Sequence, residues 1–210
     1  MTANDKQTEE IIFEAATTVF EEKGMDGARM QDIANKAGIN KALLHYYFRT
    51  KDHLFEAVFQ KLAGKMFEKF SPVFREDLTL EEKIRFFYRE HITFMQENPR
   101  LPSFILNELN RNPSRIKKLL KNVDFRKLWL MLAEQHKEEL TKYNITEESV
   151  PQILTSIAAI SVFPFAARAI IEGIFENLGV NFDNYIEERK EFAAEFVIRA
   201  ITKQEASKVN

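Results

Sequence analysis

A chain of 210 residues that is 45% hydrophobic, carries 30 Lys and Arg against 32 Asp and Glu and contains no cysteine has the balance of an ordinary globular protein. Without a thiol it forms neither a disulfide nor a thiolate metal site. The polar opening MTANDKQTEE offers no apolar run for a secretory signal, and the longest apolar stretch, Ile157 to Ile171, contains Pro164 and Arg168 and falls short of the ~20 residues of a membrane span, so a cytoplasmic protein with no membrane partner is expected.

Six glycines and six prolines read as punctuation between long helices, and no segment alternates with period two, so the expected fold is all-α. The first helix is predicted from about Asp5 to Lys23, with Ile11, Ile12, Ala15, Ala16, Val19 and Phe20 at helical spacing, stopping at Gly24. Two short helices follow within RMQDIANKAGINKALLHYYFRTK, Arg29 to Lys51, the pattern of a DNA-binding helix-turn-helix. In the first, Met30, Ile33, Ala34 and Ala37 share a face, and Gly38 stands where the chain turns left-handed. Ala34 is small where the two helices cross most closely, so a bulkier residue there is expected to push them apart.

Asn40 caps the second helix, and Leu44 and Phe48 give it an inward face. The opposite face then carries Lys41, Ala42, Leu43, His45, Tyr46 and part of Tyr47, a mix of one cation, hydrogen-bonding rings and small apolar groups that suits a major groove. From Arg29 to Lys51 five cations stand against the single anion Asp32, a local net of +4 in a chain whose formal net charge is −2. Such a basic island is the electrostatic footprint of phosphate binding.

Thr50 caps a fourth helix whose apolar stripe, Leu54, Phe55, Val58, Phe59, Leu62, Met66 and Phe70, runs until Pro72 forbids continuation. Further helices are predicted over about Leu80 to Glu97, Pro102 to Asn110, Ser114 to Tyr143, Ser149 to Gly173 with Pro151 in its first turn, and Asp183 to Lys203. The expected organisation is a three-helix head, residues 1–50, carrying the helix-turn-helix, followed by a larger helical domain, residues 51–210, for ligand sensing and dimerisation.

Two helices bear on assembly. From Ile157 to Ala167 the only polar residue is Ser161, so this helix needs cover on every side, either at the centre of a bundle or between the protomer core and a second subunit. The last helix, with Phe182, Ile186, Ala193, Phe196 and Ala200 in one row widened by Phe192 and Val197, favours the second arrangement. A homodimer through a four-helix bundle is expected, with Ile157, Ile160, Phe182, Ile186, Phe192, Ala193, Phe196 and Ala200 at the interface.

About 155 residues follow Phe55, and sixteen of the 19 phenylalanines lie beyond residue 50. Aromatics at helical spacing are ordinarily core, but a set including Phe67, Phe87, Phe94, Met95, Phe104, Trp129 and Phe163 also suits the wall of an apolar pocket for a small molecule. His91, on a face with Ile84, Phe87, Phe94 and Met95, enters the interior and needs a partner there, structural or ligand. Arg168, just after Phe163-Pro164-Phe165, either receives a ligand carboxylate or pairs with a nearby Glu. There is no G-x-S-x-G, no glycine-rich phosphate loop and no H-E-x-x-H, and the four histidines, at 45, 53, 91 and 136, lack metal-ligand spacing, so no enzyme, metal or cofactor is expected.

Over residues 11 to 55 these features together, the apolar first helix ending at Gly24, then Met30-Gln31-Asp32-Ile33-Ala34, Ala37-Gly38-Ile39, Lys41, Leu44, Phe48, Lys51 and Leu54-Phe55, resemble the TetR-type (tetracycline-repressor-like) transcriptional regulators. Beyond them only the architecture is similar. The resemblance implies that Gln31, Lys41, Ala42 and Leu43 look toward bases and that His45, Tyr46, Tyr47 and Lys51 hold or approach the phosphate backbone. Two residues depart from the family pattern: Arg29 stands where Thr is common, removing a side-chain cap, and His45 where Tyr is common, offering an imidazole in place of a hydroxyl. The implied function is a repressor that binds a double-stranded DNA operator as a homodimer and releases it when a small, largely apolar effector enters the C-terminal domain. The alternative is a helical protein-interaction module without ligand-controlled DNA binding.

Overall fold

A computed structural model describes residues 3–74, 77–114, 117 and 124–202, and among the described residues every regular element is helical. The helices are α1 Ala3–Gly27, α2 Met30–Lys36, α3 Lys41–Tyr47, α4 Lys51–Phe70, α5 Leu80–Glu97, α6 Leu101–Arg111, α7 Phe125–Gln135, α8 Lys137–Lys142, α9 Val150–Ala166, α10 Arg168–Leu178 and α11 Phe182–Thr202, with a 3-10 turn at Ser71–Phe74. No single helix among the described residues is long and apolar enough to cross a membrane.

The chain divides into two compact units, Met1–Phe67 with Arg100–Asn122, and Glu68–Pro99 with Val123–Asn210. The first unit therefore reaches past residue 50, through most of α4, and takes α6 back as well. Its core explains why. Phe20 of α1 meets Phe55 of α4 edge-on at 5.3 Å between ring centres, and Phe55 meets Phe104 of α6 at 5.8 Å, so three helices converge on one buried ring.

Local signals place the early helices. Gly24 interrupts α1 at φ 67°, ψ 172°, leaving one further turn before α2. Gly38 adopts φ +66°, Asn40 Oδ1 accepts the Leu43 N–H at 2.7 Å, and Thr50 Oγ1 accepts the His53 N–H at 3.1 Å. Arg29 at the start of α2 makes no side-chain cap, as the sequence implied. Ile33 and Ala34 are fully buried where α2 meets α3.

In the second unit α5 packs on α11. Tyr88 and Ile92 of α5 are fully buried, as are Ala193 and Ala194 of α11, whose small side chains let the helices approach closely. Arg85 forks between Glu191 and Glu195 along the same contact.

Two predicted helices are broken. Of the segment Ser114 to Tyr143, residues 115, 116 and 118–123 lie outside the described residues. The remainder starts where Asp124 Oδ1 caps the Lys127 N–H at 2.9 Å and splits at His136 into α7 and α8. The segment Ser149 to Gly173 breaks at Ala167 into α9 and α10, bent by 74°. Pro164 has no N–H to give the carbonyl of Ile160 one turn earlier. That carbonyl instead accepts both Nε and Nη2 of Arg189 on α11, at 3.1 and 2.9 Å. The neighbouring Ile157 carbonyl takes the Ser161 and Tyr88 hydroxyls, at 3.1 and 3.3 Å.

Candidate nucleic-acid interface and effector cavity

The recognition face belongs to the first unit. On α3 Lys41, Ala42, Leu43, His45 and Tyr46 are exposed, Tyr46 at 80% of its surface, while Leu44 is fully buried and fixes the rotation of the helix. Gln31 is exposed near the start of α2 with its amide Nε2 donating to Asn35 Oδ1 at 2.8 Å, a contact that orients the side chain along the helix. His45 Nδ1 lies 3.2 Å from the Arg49 carbonyl, an acceptor, so that nitrogen donates.

Two residues expected at the phosphates have structural partners. The Tyr47 hydroxyl donates to Asp5 Oδ1 at 3.1 Å, tying α3 to the start of α1. Lys51 Nζ donates to the carbonyls of Asp26 and Ala28, at 3.2 and 2.9 Å, the last carbonyls of the short turn after Gly24. Glu108 of α6, buried, accepts the Met25 N–H from the other side at 3.1 Å. The segment between α1 and α2 is thus held by α4 and by α6.

The charge of this face exceeds its simple count. Asp32, its only anion, is paired with Lys23 at 2.7 Å, whose ammonium holds the Asp32 carboxyl below its ordinary range. Arg29, Lys36, Lys41 and Arg49 are all exposed.

The cavity belongs to the second unit and encloses about 360 Å³. Its walls are Val73, Phe74, Leu80, Ile84 and Phe87 on one side, Leu128, Trp129, Leu132, Leu140 and Ile145 on another, and Val150, Ile153, Leu154, Ile157, Ala158 and Ile201 closing it. Among its lining side chains Lys83, Trp129 and His136 carry polar atoms. Lys83, buried, donates through Nζ to the Val73 carbonyl at 2.7 Å and to Gln135 Oε1 at 3.3 Å. His136, 4% exposed, places Nδ1 2.6 Å from Glu139 Oε2, and its buried Nε2 has no hydrogen-bond partner among the described residues.

Of the side chains expected at the ligand, Phe87 and Trp129 line this cavity. Phe94 and Met95 are buried on α5 outside it. His91 is buried too, stacked on Phe87 at 5.0 Å and near Phe70 at 5.6 Å, with no partner for Nδ1 among the described residues, and burial lowers its pKa to about 4. Phe67 and Phe104 belong to the first unit, Phe67 largely exposed and Phe104 against Phe55. Phe163 is 60% exposed on α9. Arg168 lies away from the cavity, 2.8 Å from Glu172 Oε1 and over the Phe182 ring at 4.5 Å, which is the pairing with a nearby Glu.

Sequence reasoning passed over Lys83, His136 and the aliphatic wall of α9. The signal was available, because Leu80, Lys83, Ile84 and Phe87 share one face of α5, and Leu128, Trp129, Leu132 and His136 one face of the helical pattern that becomes α7.

The expected dimer row divides. Phe182, Ile186 and Ala193 are buried in the protomer's own core, and Ile157, half-buried, lines the cavity. The row was drawn at one helical spacing, whereas α11 buries Ala194, Val197 and Ile198 beside it and turns Phe192 and Phe196 outward. Those two rings stack at 6.2 Å and are 62% and 55% exposed, with Ala200 exposed nearby and Ile160 half-buried on α9. An unanticipated apolar stripe, Ile170, Ile174 and Leu178 along α10, is also exposed.

Residues 12–58 match the family model of bacterial regulatory proteins, tetR family. Over 73 residues the chain is 33% identical to the HTH-type transcriptional regulator PksA of Bacillus subtilis (strain 168), covering 35% of this chain and 36% of that one. The chain spans less than half the length of the curated relatives it matches. A crystallised TetR-like transcriptional regulator from Rhodococcus sp. RHA1 shares the fold at TM-score 0.67 and 19% identity, over 92% of this chain and 95% of that one. So does the transcriptional regulator FadR from Bacillus subtilis in complex with stearoyl-CoA, at TM-score 0.62 and 18% identity, over 89% and 97%. The match to a tetR-family head is thus confined to residues 12–58, and over the rest of the chain it is the helical fold that is shared with solved TetR-like regulators.

Proposed function

We propose that the chain is a ligand-responsive DNA-binding repressor, which holds a double-stranded operator through α3 and releases it when an apolar, acyl-like molecule fills the cavity of the second unit. The observation that carries this reading is the cavity itself, about 360 Å³ with almost wholly apolar walls, within the ~300–1,000 Å³ typical of small-molecule sites. FadR, of the same fold, was crystallised with stearoyl-CoA, which supports a long-chain ligand.

One helix supplies a route between ligand and DNA. α4 begins at Lys51, bolted to the carbonyls of Asp26 and Ala28, and ends at Phe70, whose ring lies 5.4 Å from that of Phe87 in the cavity wall. A ligand that moves Phe87 disturbs the end of α4, the helix that starts at Lys51. In a dimer the two α3 helices enter successive major grooves only when about 34–36 Å apart, so a ligand that prefers another spacing lowers DNA affinity. The exposed rings Phe192 and Phe196, with the apolar stripe of α10, support a homodimer through this surface. Phe192→Glu with Phe196→Glu is expected to give a folded monomer, read by sedimentation equilibrium, whose operator affinity falls at least tenfold. A double variant that stays dimeric contradicts this face.

The function is tested on duplexes selected from a random library by the purified protein. Titration of the complex with long-chain acyl compounds is expected to lower DNA affinity by an order of magnitude or more, and Leu132→Trp, which fills the cavity, to abolish that response while leaving DNA binding intact. Lys41→Ala is expected to weaken binding to every sequence and to flatten the log K against log salt slope by about 0.9. Saturable ligand binding that leaves DNA affinity unchanged contradicts the switch. The interaction-module alternative requires no salt-dependent DNA affinity at all.

A further inference from the structure

The cavity is apolar except at one place where its chemistry is incomplete. His136 is 4% exposed and lines the cavity, yet its buried Nε2 has no hydrogen-bond partner among the described residues. Buried polar side-chain atoms nearly always have a partner, so this one marks a missing group. The other ring nitrogen shows which kind. Nδ1 lies 2.6 Å from Glu139 Oε2, and the same carboxylate accepts the Leu80 N–H at 3.0 and 3.2 Å. The Glu139 carboxylate only accepts, so Nδ1 carries a proton, and it is Nε2 of this cavity-lining ring that lacks its partner.

An ester or thioester carbonyl, which only accepts, completes Nε2 only where that nitrogen carries a proton. A carboxylic acid does complete it, because its proton lies between its own oxygen and Nε2 in either arrangement, acid against imidazole or carboxylate against imidazolium. Glu139 on the opposite nitrogen favours the second arrangement, forming a carboxylate–histidine–carboxylate chain. Lys83 in the same wall, its ammonium held by Val73 and Gln135, adds the positive potential that a buried carboxylate requires.

We infer that the cavity takes a free monocarboxylic acid with an apolar body, its head on His136 Nε2 and its tail among Leu132, Ile153 and Ile157. The inference rests on the effector reading above and deepens it. It is distinguishable from that reading, because its test is direct binding to the full chain without DNA.

Tetradecanoic acid, its methyl ester and tetradecanol are compared by isothermal titration below their aggregation concentrations. The acid is expected to bind the wild-type chain at least tenfold more tightly than the ester. In His136→Leu and in His136→Gln that preference collapses to within about twofold, while ester binding persists and reports an intact cavity. Equal affinities of acid and ester in the wild type, or a preference that survives both substitutions, overturn the head-group assignment. Tetradecanol binding as tightly as the acid replaces the carboxylic acid by a hydroxyl donor and overturns it too. Failure of all three to bind removes the acyl cavity and, with it, the effector reading.

Discussion

Replacing Phe55 by alanine is expected to destabilise the first unit by about 3–5 kcal/mol, a large share of the roughly 5–15 kcal/mol that holds a domain folded. The ring is 1% exposed and sits where α1, α4 and α6 converge, edge-on to Phe20 and tilted against Phe104. Its removal leaves a cavity between rings on three separate helices, none of which closes it without parting from the others. Phe55→Leu keeps part of the volume and costs less, so the two variants bracket the packing contribution. The measurement is hydrogen exchange of α1–α3 amides, in which Phe55→Ala abolishes protection of the head before that of α5 and α11. A Phe55→Ala protein whose head amides exchange as slowly as those of wild type contradicts this core.

Acidification is the second large effect. His91 is buried between Phe87 and Phe70, has no partner at Nδ1 among the described residues and titrates at about 4 because burial penalises the imidazolium, whereas the same side chain in the unfolded chain titrates near 6.5. Between those values the unfolded state binds a proton that the folded state refuses. Stability from this residue is therefore complete above about pH 6.5 and is lost as the pH falls toward 4, by about 3 kcal/mol in all. Urea midpoints of the second unit at pH 7 and at pH 4.5 measure the loss. His91→Phe, which keeps an aromatic ring against Phe87 with nothing to protonate, is expected to flatten the dependence over this window. An unchanged slope in that variant would place the acid sensitivity elsewhere.

How much of this was legible depended on distance along the chain. Gly24, Gly38, Asn40 and Thr50 act within four residues of themselves, and the helix ends they set were read from sequence alone. The break at Ala167 was not, because the donor that relieves the Ile160 carbonyl comes from Arg189, 29 residues away. A proline in an apolar run announces a lost hydrogen bond but not where its acceptor turns. The cavity was half legible for a related reason. Phe87 and Trp129 announce themselves as bulky apolar groups, whereas Lys83 reads as a surface cation until Val73 and Gln135 appear around its ammonium. On α11 the exposed Phe192 and the buried Ala193 are adjacent in sequence, so small differences in helix rotation decided which row was core.

The three ties on residues 25–28 limit how the reader can be switched. Met25 is held by Glu108, and Asp26 and Ala28 by Lys51, so the joint between α1 and α2 has no hinge freedom independent of α4 or α6. A disturbance that arrives through either helix therefore reaches the joint between α1 and α2 directly. Under the proposed function a joint so tied makes the effector a gain control, one that scales the affinity for all operators by a common factor.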